Sequence, residues 1–273
     1  RELRLQVEAV YLGGGTPTTV QGEDLKRLLG LISEHLLAGQ DAEFTVEAGR
    51  PETLSRETLN ILKAAGTQRI CINPQTMHEP TLAAIGRRHT VADVHRAFAL
   101  AREIGIPVIN MDIIVGLPGE ELPQVQRTLE EIGALGPDNL TVHSLALKRA
   151  SWLRKNLDQV RLAQEQGEAM VDLARDYALS WGMRPYYLYR QRHILGDLEN
   201  TGYAQPGTSS VYNIQMMEER QTTIALGGGG ISKLVASDLS LTRHANPKCP
   251  AAYASQIREH LNEKLDVLRR HLA

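Results

Sequence analysis

The sequence predicts an α/β fold, a partial (β/α) barrel followed by a smaller C-terminal domain. Three observations predict it. Short β-rich runs alternate with amphipathic helical runs over the first half of the chain, and repeated βα units of this kind force parallel strands covered by helices. The chemically unusual residues, Gly13–Thr16, Glu47, Gln75 and Asp112–Pro118, lie at or just after strand ends. Convergence on the carboxyl ends of successive strands is the barrel rule, whereas a doubly wound open sheet gathers such residues at one crevice. After Gly182 the rhythm stops, and Tyr, Arg, Gln, Asn and Gly take over.

Each element has its own signal. Val7 to Leu12 is a β-rich run ending in Gly13-Gly14-Gly15. Gly22 to Leu37 carries Leu25, Leu28, Leu29, Ile32 and Leu36 at helical spacing. Glu43 to Val46 reads as a strand. Ser55 to Ala65 reads as a helix with Ser55 as N-cap and Gly66 just past its end. Arg69 to Ile72 is the next strand. A Thr-x-x-Asp cap opens a helix at Thr90, and Gly105 closes it after Ile104. Pro107 to Val115 is an apolar strand with one acid, Asp112. A helix over Glu121–Leu135 and a strand over Leu140–Leu147 follow, then a long helix around Asp158–Ser180. These elements make residues 1–181 one domain, and 182–273 an appendage ending in a helix from about Ala251.

Composition narrows the function. The 273 residues carry a formal net charge of −2, with 30 Lys+Arg against 32 Asp+Glu, so no basic stripe for nucleic acid is expected. No apolar run approaches the roughly 18 residues a membrane span needs. The chain starts at Arg1 without a leader pattern, and its two cysteines, Cys71 and Cys249, form no disulfide framework. Both features point to a reducing, cytoplasmic setting.

Several residues could carry chemistry. Three glycines after a strand let backbone approach a ligand closely, although a tight strand-to-loop bend needs them too. They fit neither a P-loop nor a dinucleotide fingerprint. Glu47 stands at a strand end, where it could meet a ligand amine or lie in a surface turn. Asp112 is sharper: a carboxylate within an apolar strand costs several kcal/mol unless paired, and its two oxygens suit a ribose diol. Gln75 could bind a sugar hydroxyl, and Arg87 could grip a carboxylate in a fork. Cys71 reads as a small buried hydrophobe. His143 and His193 fit no metal-ligand spacing and read as structural. No catalytic acid, base or metal ligand is assigned.

Taken together, these residues resemble the radical S-adenosylmethionine (SAM) superfamily. The shared pattern is Tyr-Leu-Gly-Gly-Gly-Thr-Pro-Thr, Glu47, Gln75, Gly86-Arg87-Arg88-His89-Thr90 and Met-Asp-Ile-Ile-Val-Gly-Leu-Pro-Gly. The order is similar to the oxygen-independent coproporphyrinogen III oxidase family. Phe44–Pro51, Arg184–Gln191 and Gln221–Lys233 resemble its HemZ-type coproporphyrinogen dehydrogenase branch more than its haem-chaperone relatives.

The resemblance implies an incomplete (β/α)6 barrel. It implies SAM held at its methionine end by Gly14, Gly15 and Thr16, at its carboxylate by Arg87, and at its ribose by Gln75 and Asp112. Leu145 would offer backbone to the adenine. Glu47, with Gly14 and Ile231, would serve a second SAM position. The implied reaction takes hydrogen from a propionate of coproporphyrinogen III by a 5′-deoxyadenosyl radical. One electron and CO2 are lost, a vinyl group remains, and two rounds give protoporphyrinogen IX for haem biosynthesis. The implied electron donor is a flavodoxin or ferredoxin. A tetrapyrrole is a broad apolar disc rimmed with carboxylates, so it suits flat aromatic surface and guanidinium forks. Arg184, Tyr187, Tyr189 and Arg190 are the candidates, with Tyr187 and Tyr189 on one face of an extended segment. A hairpin docking the appendage to the barrel would use the same residues structurally.

One departure stands out. The family holds its [4Fe–4S] cluster with Cys-x-x-x-Cys-x-x-Cys upstream of the triple glycine, and only Arg1–Leu12 precede it here. Thiolates hold such clusters. The expectation is therefore a chain truncated before the triple-glycine strand, lacking the barrel's first strand and cluster loop. A haem-binding chaperone of the same superfamily and a cluster-less SAM- or tetrapyrrole-binding protein remain alternatives. Anaerobic reconstitution with iron and sulfide is expected to give no stoichiometric cluster on this chain. A full cluster that persists after Cys71→Ala and Cys249→Ala would overturn that expectation.

Overall fold

The computed structural model describes residues 6–145, 166–190 and 198–272. The described chain divides into two compact units, Val7–Val211 and a second one from Tyr212 onward.

The first unit is a seven-stranded sheet in the order β1-β2-β3-β4-β5-β7-β6. Strands β1 (Ala9–Leu12), β2 (Glu43–Glu47), β3 (Arg69–Gln75), β4 (Val108–Val115) and β5 (Asn139–Ser144) run parallel. Strand β7 (Asn200–Ala204) adds antiparallel to β5, and β6 (Arg184–Tyr189) antiparallel to β7. Between the parallel strands run α1 (Gly22–Ile32), α2 (Arg56–Ala64), α3 (Glu79–Ala84), α4 (Val91–Ile104) and α5 (Leu122–Leu135). Helix α6 (Gly167–Ser180) packs beside α5. This is a half-barrel with helices on its outer face.

Local chemistry sets the helix ends. Ser55 Oγ accepts the Thr58 N–H at 3.1 Å, and Thr90 and Asp93 form the reciprocal capping box the sequence suggests. Gly105 closes α4 at φ +83°, where only glycine is unstrained. The run expected as one helix over Gly22–Leu37 changes at Ser33, and its last five residues wind as a π turn.

The two faces of the sheet differ by strand alternation. Phe44, Val46, Ile70, Ile72, Ile109, Met111, Leu140 and Val142 point outward and join the helices in one buried core. The alternate positions are polar: Glu43, Thr45 and Glu47 on β2, Arg69, Cys71 and Asn73 on β3, Asn110 and Asp112 on β4, and Asn139, Thr141 and His143 on β5.

The domain boundary differs from the expected 181/182. The first unit continues through Val211, because β6 and β7 hydrogen-bond onto β5 and extend the same sheet. An antiparallel pair needs no covering helix, so the end of the βα rhythm was not the end of the sheet. Of the long helix expected around Asp158–Ser180, Gly167–Ser180 is described, and its earlier part lies outside the described residues. The second unit holds α7 (Val211–Glu218), the hairpin β8 (Ile231–Val235) and β9 (Leu241–Ala245), then α8 (Pro250–Ser255) and α9 (Ile257–Leu272). Among the described residues, no helix is long and apolar enough to cross a membrane.

A buried ion pair closes the amino end of the half-barrel. Arg69 Nη2 lies 3.1 Å from Glu43 Oε2 and donates to the Thr208 carbonyl at 2.8 Å, while Nη1 donates to Asn139. Glu43 also accepts from Ser210 Oγ at 2.8 Å and the Val211 N–H at 3.2 Å. The pair thereby ties β2, β3 and β5 to the segment after β7. Arg69→Met leaves a buried carboxylate without its cation and should cost about 3 kcal/mol of unfolding free energy. Chemical denaturation of single and double variants checks this, and Arg69→Met with Glu43→Leu should recover most of the loss.

Candidate active site

The carboxyl ends of β1 to β6 gather polar side chains over the inner face of the sheet. Beyond β1, Gly14 and Gly15 sit at φ +87° and +74°, and nothing lies within 4 Å of where a Cβ would be. Both conditions suit backbone that a ligand can approach closely. At Gly13 a Cβ would stand 2.7 Å from the Tyr11 ring. That glycine lets Tyr11 fold back, so that its hydroxyl donates to Glu47. Thr16 starts the next turn, its carbonyl accepting the Thr19 N–H at 3.0 Å.

Glu47 is held from two sides, by Tyr11 and by Asn73 Nδ2 at 2.7 Å. Burial and then the nearby Asp112 charge push its pKa above the usual carboxylate range. The Cys71 thiol is pushed well up, first by burial and then by Glu47 and Asp112, so it stays protonated and unreactive. Tyr11 is raised for similar reasons, burial first.

Gln75 ends β3 after a register shift, at φ +68°. A non-glycine residue there is strained, and such strain persists only where the surroundings fix it. Two neighbours supply that support. Thr76 Oγ1 donates to the buried Glu120 at 2.5 Å, and His89 Nε2 lies 3.3 Å from the Pro74 carbonyl. Gln75 is 5% exposed, and its Oε1 has no hydrogen-bond partner, nor has Asn73 Oδ1. Buried acceptors left open in this way cost free energy unless something supplies a donor.

Asp112 accepts from Asn110 Nδ2 at 2.6 Å through Oδ1 and faces His143 Nε2 at 3.5 Å through Oδ2. Arg87 is half-buried. Burial and Arg50 lower its pKa, whereas Glu52, Asp112 and Glu47 favour its charge, so it lies in the field of both site carboxylates. Leu145 is buried just past β5, its N–H donating to the Val115 carbonyl at 3.0 Å. Ile231 opens β8 in the second unit.

Strand β6 closes the inner face. Tyr187 and Tyr189 share one face, their rings 6.3 Å apart and 14° from parallel, as alternation predicts. Arg190 follows at the carboxyl end and lies 3.9 Å from Glu199. Arg184 does not join this group. It pairs with Ala204, which pairs with Asn139, and so marks the amino end of the half-barrel. Tyr11, Asn73, Asn110 and Thr141 are site-face residues that sequence reasoning missed, and His143, read there as structural, joins them. Their signal was period-two polarity within otherwise apolar strands. His193 lies outside the described residues.

The residues present fit a nucleoside bearing an amine and a carboxylate, as SAM does. Gln75 Oε1, Asn73 Oδ1 and Asp112 offer acceptors, Arg87 a cation, and Gly14 and Gly15 open backbone. They do not fit an iron–sulfur cluster. Among the described residues, no group of three or more His, Cys, Asp or Glu side chains could hold a metal ion. Cys71 is buried within β3, and Cys249 is exposed in the second unit.

Comparisons with known proteins bear on the family and the fold. The model of the radical SAM superfamily matches residues 1–132. The chain is 42% identical, over 274 positions, to the oxygen-independent coproporphyrinogen-III oxidase-like protein HemZ of Bacillus subtilis, with 98% of this chain and 54% of that relative covered. It is 32% identical to the heme chaperone HemW of the same organism, with 79% of this chain and 54% of that protein covered. The solved structure of coproporphyrinogen III oxidase (HemN) from Escherichia coli, described as a radical SAM enzyme, superimposes with a TM-score of 0.71 at 20% identity. That match covers 93% of this chain and 57% of the other, and shows the shared half-barrel. The chain spans about half the length of the curated relatives it matches.

A raised carboxylate pKa has a signed consequence for stability. The folded state binds the Glu47 proton more tightly than the unfolded state does. Stability therefore falls as pH rises from the unfolded value, near 4.5, through the raised folded one. Glu47→Gln removes that loss. Thermal melts should show the variant gaining on the parent as pH rises to 7, with the gain vanishing below about pH 4. A variant no more stable than its parent at pH 7 would mean that Glu47 is well solvated.

Proposed function

Because this chain carries a radical SAM domain and so belongs to that superfamily, we propose that it serves the oxidative decarboxylation of tetrapyrrole propionates. The substrate is coproporphyrinogen III and the product protoporphyrinogen IX. Bound SAM, with a cluster that these residues do not ligate, supplies the one-electron chemistry that removes hydrogen from a propionate. The chain's own residues bind and orient. Gln75 and Asp112 take the ribose hydroxyls, Arg87 the carboxylate of SAM, and the open backbone at Gly14–Thr16 its amine end. Leu145 offers backbone to the adenine, and Glu47 belongs to a second SAM position. Tyr187 and Tyr189 lie against the tetrapyrrole, and Arg190, at the carboxyl end of β6, pairs with a propionate.

The observation that carries this reading is the pairing of two surfaces on one sheet. At the carboxyl end of β3 the buried acceptors Asn73 Oδ1 and Gln75 Oε1 have no partner, and on β6 a stacked tyrosine pair is followed by an arginine. A haem-binding chaperone is the second reading, favoured by the 32% identity to HemW.

Chromatographic assay of porphyrin products from the whole protein, given SAM and a low-potential reductant, separates the two. Loss of two CO2 per coproporphyrinogen supports the enzyme, and stoichiometric haem binding without decarboxylation supports the chaperone. In the enzyme, Arg190→Ala should raise KM for coproporphyrinogen about tenfold, as expected for one lost charged contact of about 1.5 kcal/mol, with SAM affinity retained. Wild-type substrate kinetics in that variant would move β6 from the substrate site to the scaffold.

A further inference from the structure

The two tyrosines of β6 are each wired to a different oxygen of Asp112. Tyr189 Oη lies 3.3 Å from His143 Nδ1, and His143 Nε2 lies 3.5 Å from Asp112 Oδ2. Tyr187 Oη lies 3.3 Å from Thr141 Oγ1, which donates to Asn110 Oδ1 at 3.2 Å, and Asn110 Nδ2 donates to Asp112 Oδ1 at 2.6 Å. Both routes cross from the face read as the tetrapyrrole surface to the carboxylate read as the ribose ligand.

The two routes differ in slack. On the Asn110 side the contact to Asp112 is short, and the side chains of Asn110 and Thr141 are buried. On the His143 side both contacts are long, and the imidazole is 26% exposed. A neutral imidazole with its proton on Nε2 can serve both neighbours at once, accepting from the Tyr189 hydroxyl and turning its N–H toward Asp112 across 3.5 Å. Such loose contacts tighten when a ligand pushes on either end. Tyr189 packs edge-on against the His143 ring, 6.5 Å between centroids at 71°, so the two rings share one contact as well as the hydrogen bond.

We propose that His143 is a positioning residue that couples Tyr189 to Asp112, so that a tetrapyrrole docking on the β6 tyrosines changes the affinity of the SAM site. The inference rests on the reading of those two surfaces given above. It makes the sheet itself the link between substrate and cofactor, with the imidazole as its adjustable element. Coupling of this kind is reciprocal, so SAM must change tetrapyrrole affinity by the same factor.

Calorimetric titration of SAM with and without coproporphyrin III, a redox-stable stand-in for the substrate, tests it, and the Soret band reports porphyrin binding separately. In the parent, saturating porphyrin should shift the SAM Kd by about fivefold or more. In His143→Leu the shift should fall below about twofold. His143→Gln, whose amide also presents one acceptor and one donor, should restore it. Tyr189→Phe, which keeps the ring and removes only the hydroxyl, should lose it as well. A parent with no shift, a His143→Leu protein with the full shift, or a full shift in Tyr189→Phe overturns the coupling. Two controls test the underlying reading instead: an Asp112→Asn protein that binds SAM as the parent does, or a parent with no Soret response, defeats the site assignment itself.

Discussion

Everything at this site follows from one constraint: a parallel sheet whose inner face is polar. Parallel strands are usually apolar on both faces, because helices cover both. Here the helices cover one face, and the other carries Glu47, Asn73, Asn110, Asp112, Thr141 and His143 in alternation with core residues. Each of these groups loses water on folding, so each must find a partner or bear the cost of having none. The network among Tyr11, Glu47 and Asn73, and the one among Asn110, Asp112 and His143, meet that requirement. The acceptors on Gln75 and Asn73 that remain open are therefore informative, since a ligand donor could complete them.

The half-barrel separates stability from chemistry along each strand. At the amino ends, Arg69 and Glu43 are buried together and bonded to Asn139, Thr208, Ser210 and Val211, which closes the fold. At the carboxyl ends the same inner rows carry acids close to one another, and burial and then Asp112 push the Glu47 carboxyl above the usual carboxylate range. Two carboxylates so placed repel, and the compact arrangement gains once a cationic or hydroxyl-rich ligand enters. A sulfonium bearing an amine and a ribose meets both descriptions. Burial and Arg50 lower the Arg87 pKa, whereas Glu52, Asp112 and Glu47 favour its charge, and on the proposed reading its guanidinium meets a ligand carboxylate.

Much of this was legible in the residues. Asp112 declared itself as one acid in an apolar strand, the glycines as a strand-end bend, and Tyr187 and Tyr189 as one face of an extended run. What was not legible depended on strand pairing. Asn110 and Thr141 drew no reading and His143 read as structural, because alternation alone does not reveal whether a polar row faces water or a ligand. Arg184 and Arg190 looked equivalent until the direction of β6 put them at opposite ends of the sheet. The boundary at 181/182 failed for the same reason: pairing of β7 with β5 joins segments about 60 residues apart, and composition carries no trace of it. Strain at Gln75 was also invisible, since nothing in a glutamine announces a positive φ.

That strain explains why the loop after β4 is built as it is. Gln75 holds its left-handed conformation only if the chain on its C-terminal side is pinned, and the pin is Glu120, a carboxyl 1% exposed. Burial raises its pKa, while hydrogen bonds from Thr76 and Thr81 favour the charged form. Thr128, from α5, completes the clamp by accepting the Met77 N–H at 3.0 Å. The Gly-Leu-Pro-Gly turn thus delivers an acid across to the end of β3, and the ends of β3 and β4 become one rigid piece. Gln75 ends β3 and Asp112 lies on β4, the strand paired with it. On the proposed reading, a ribose taken by these two residues would meet groups fixed before it arrives, which lowers the entropy lost on binding. The looser His143 contact then stands out as the place where the site can still adjust.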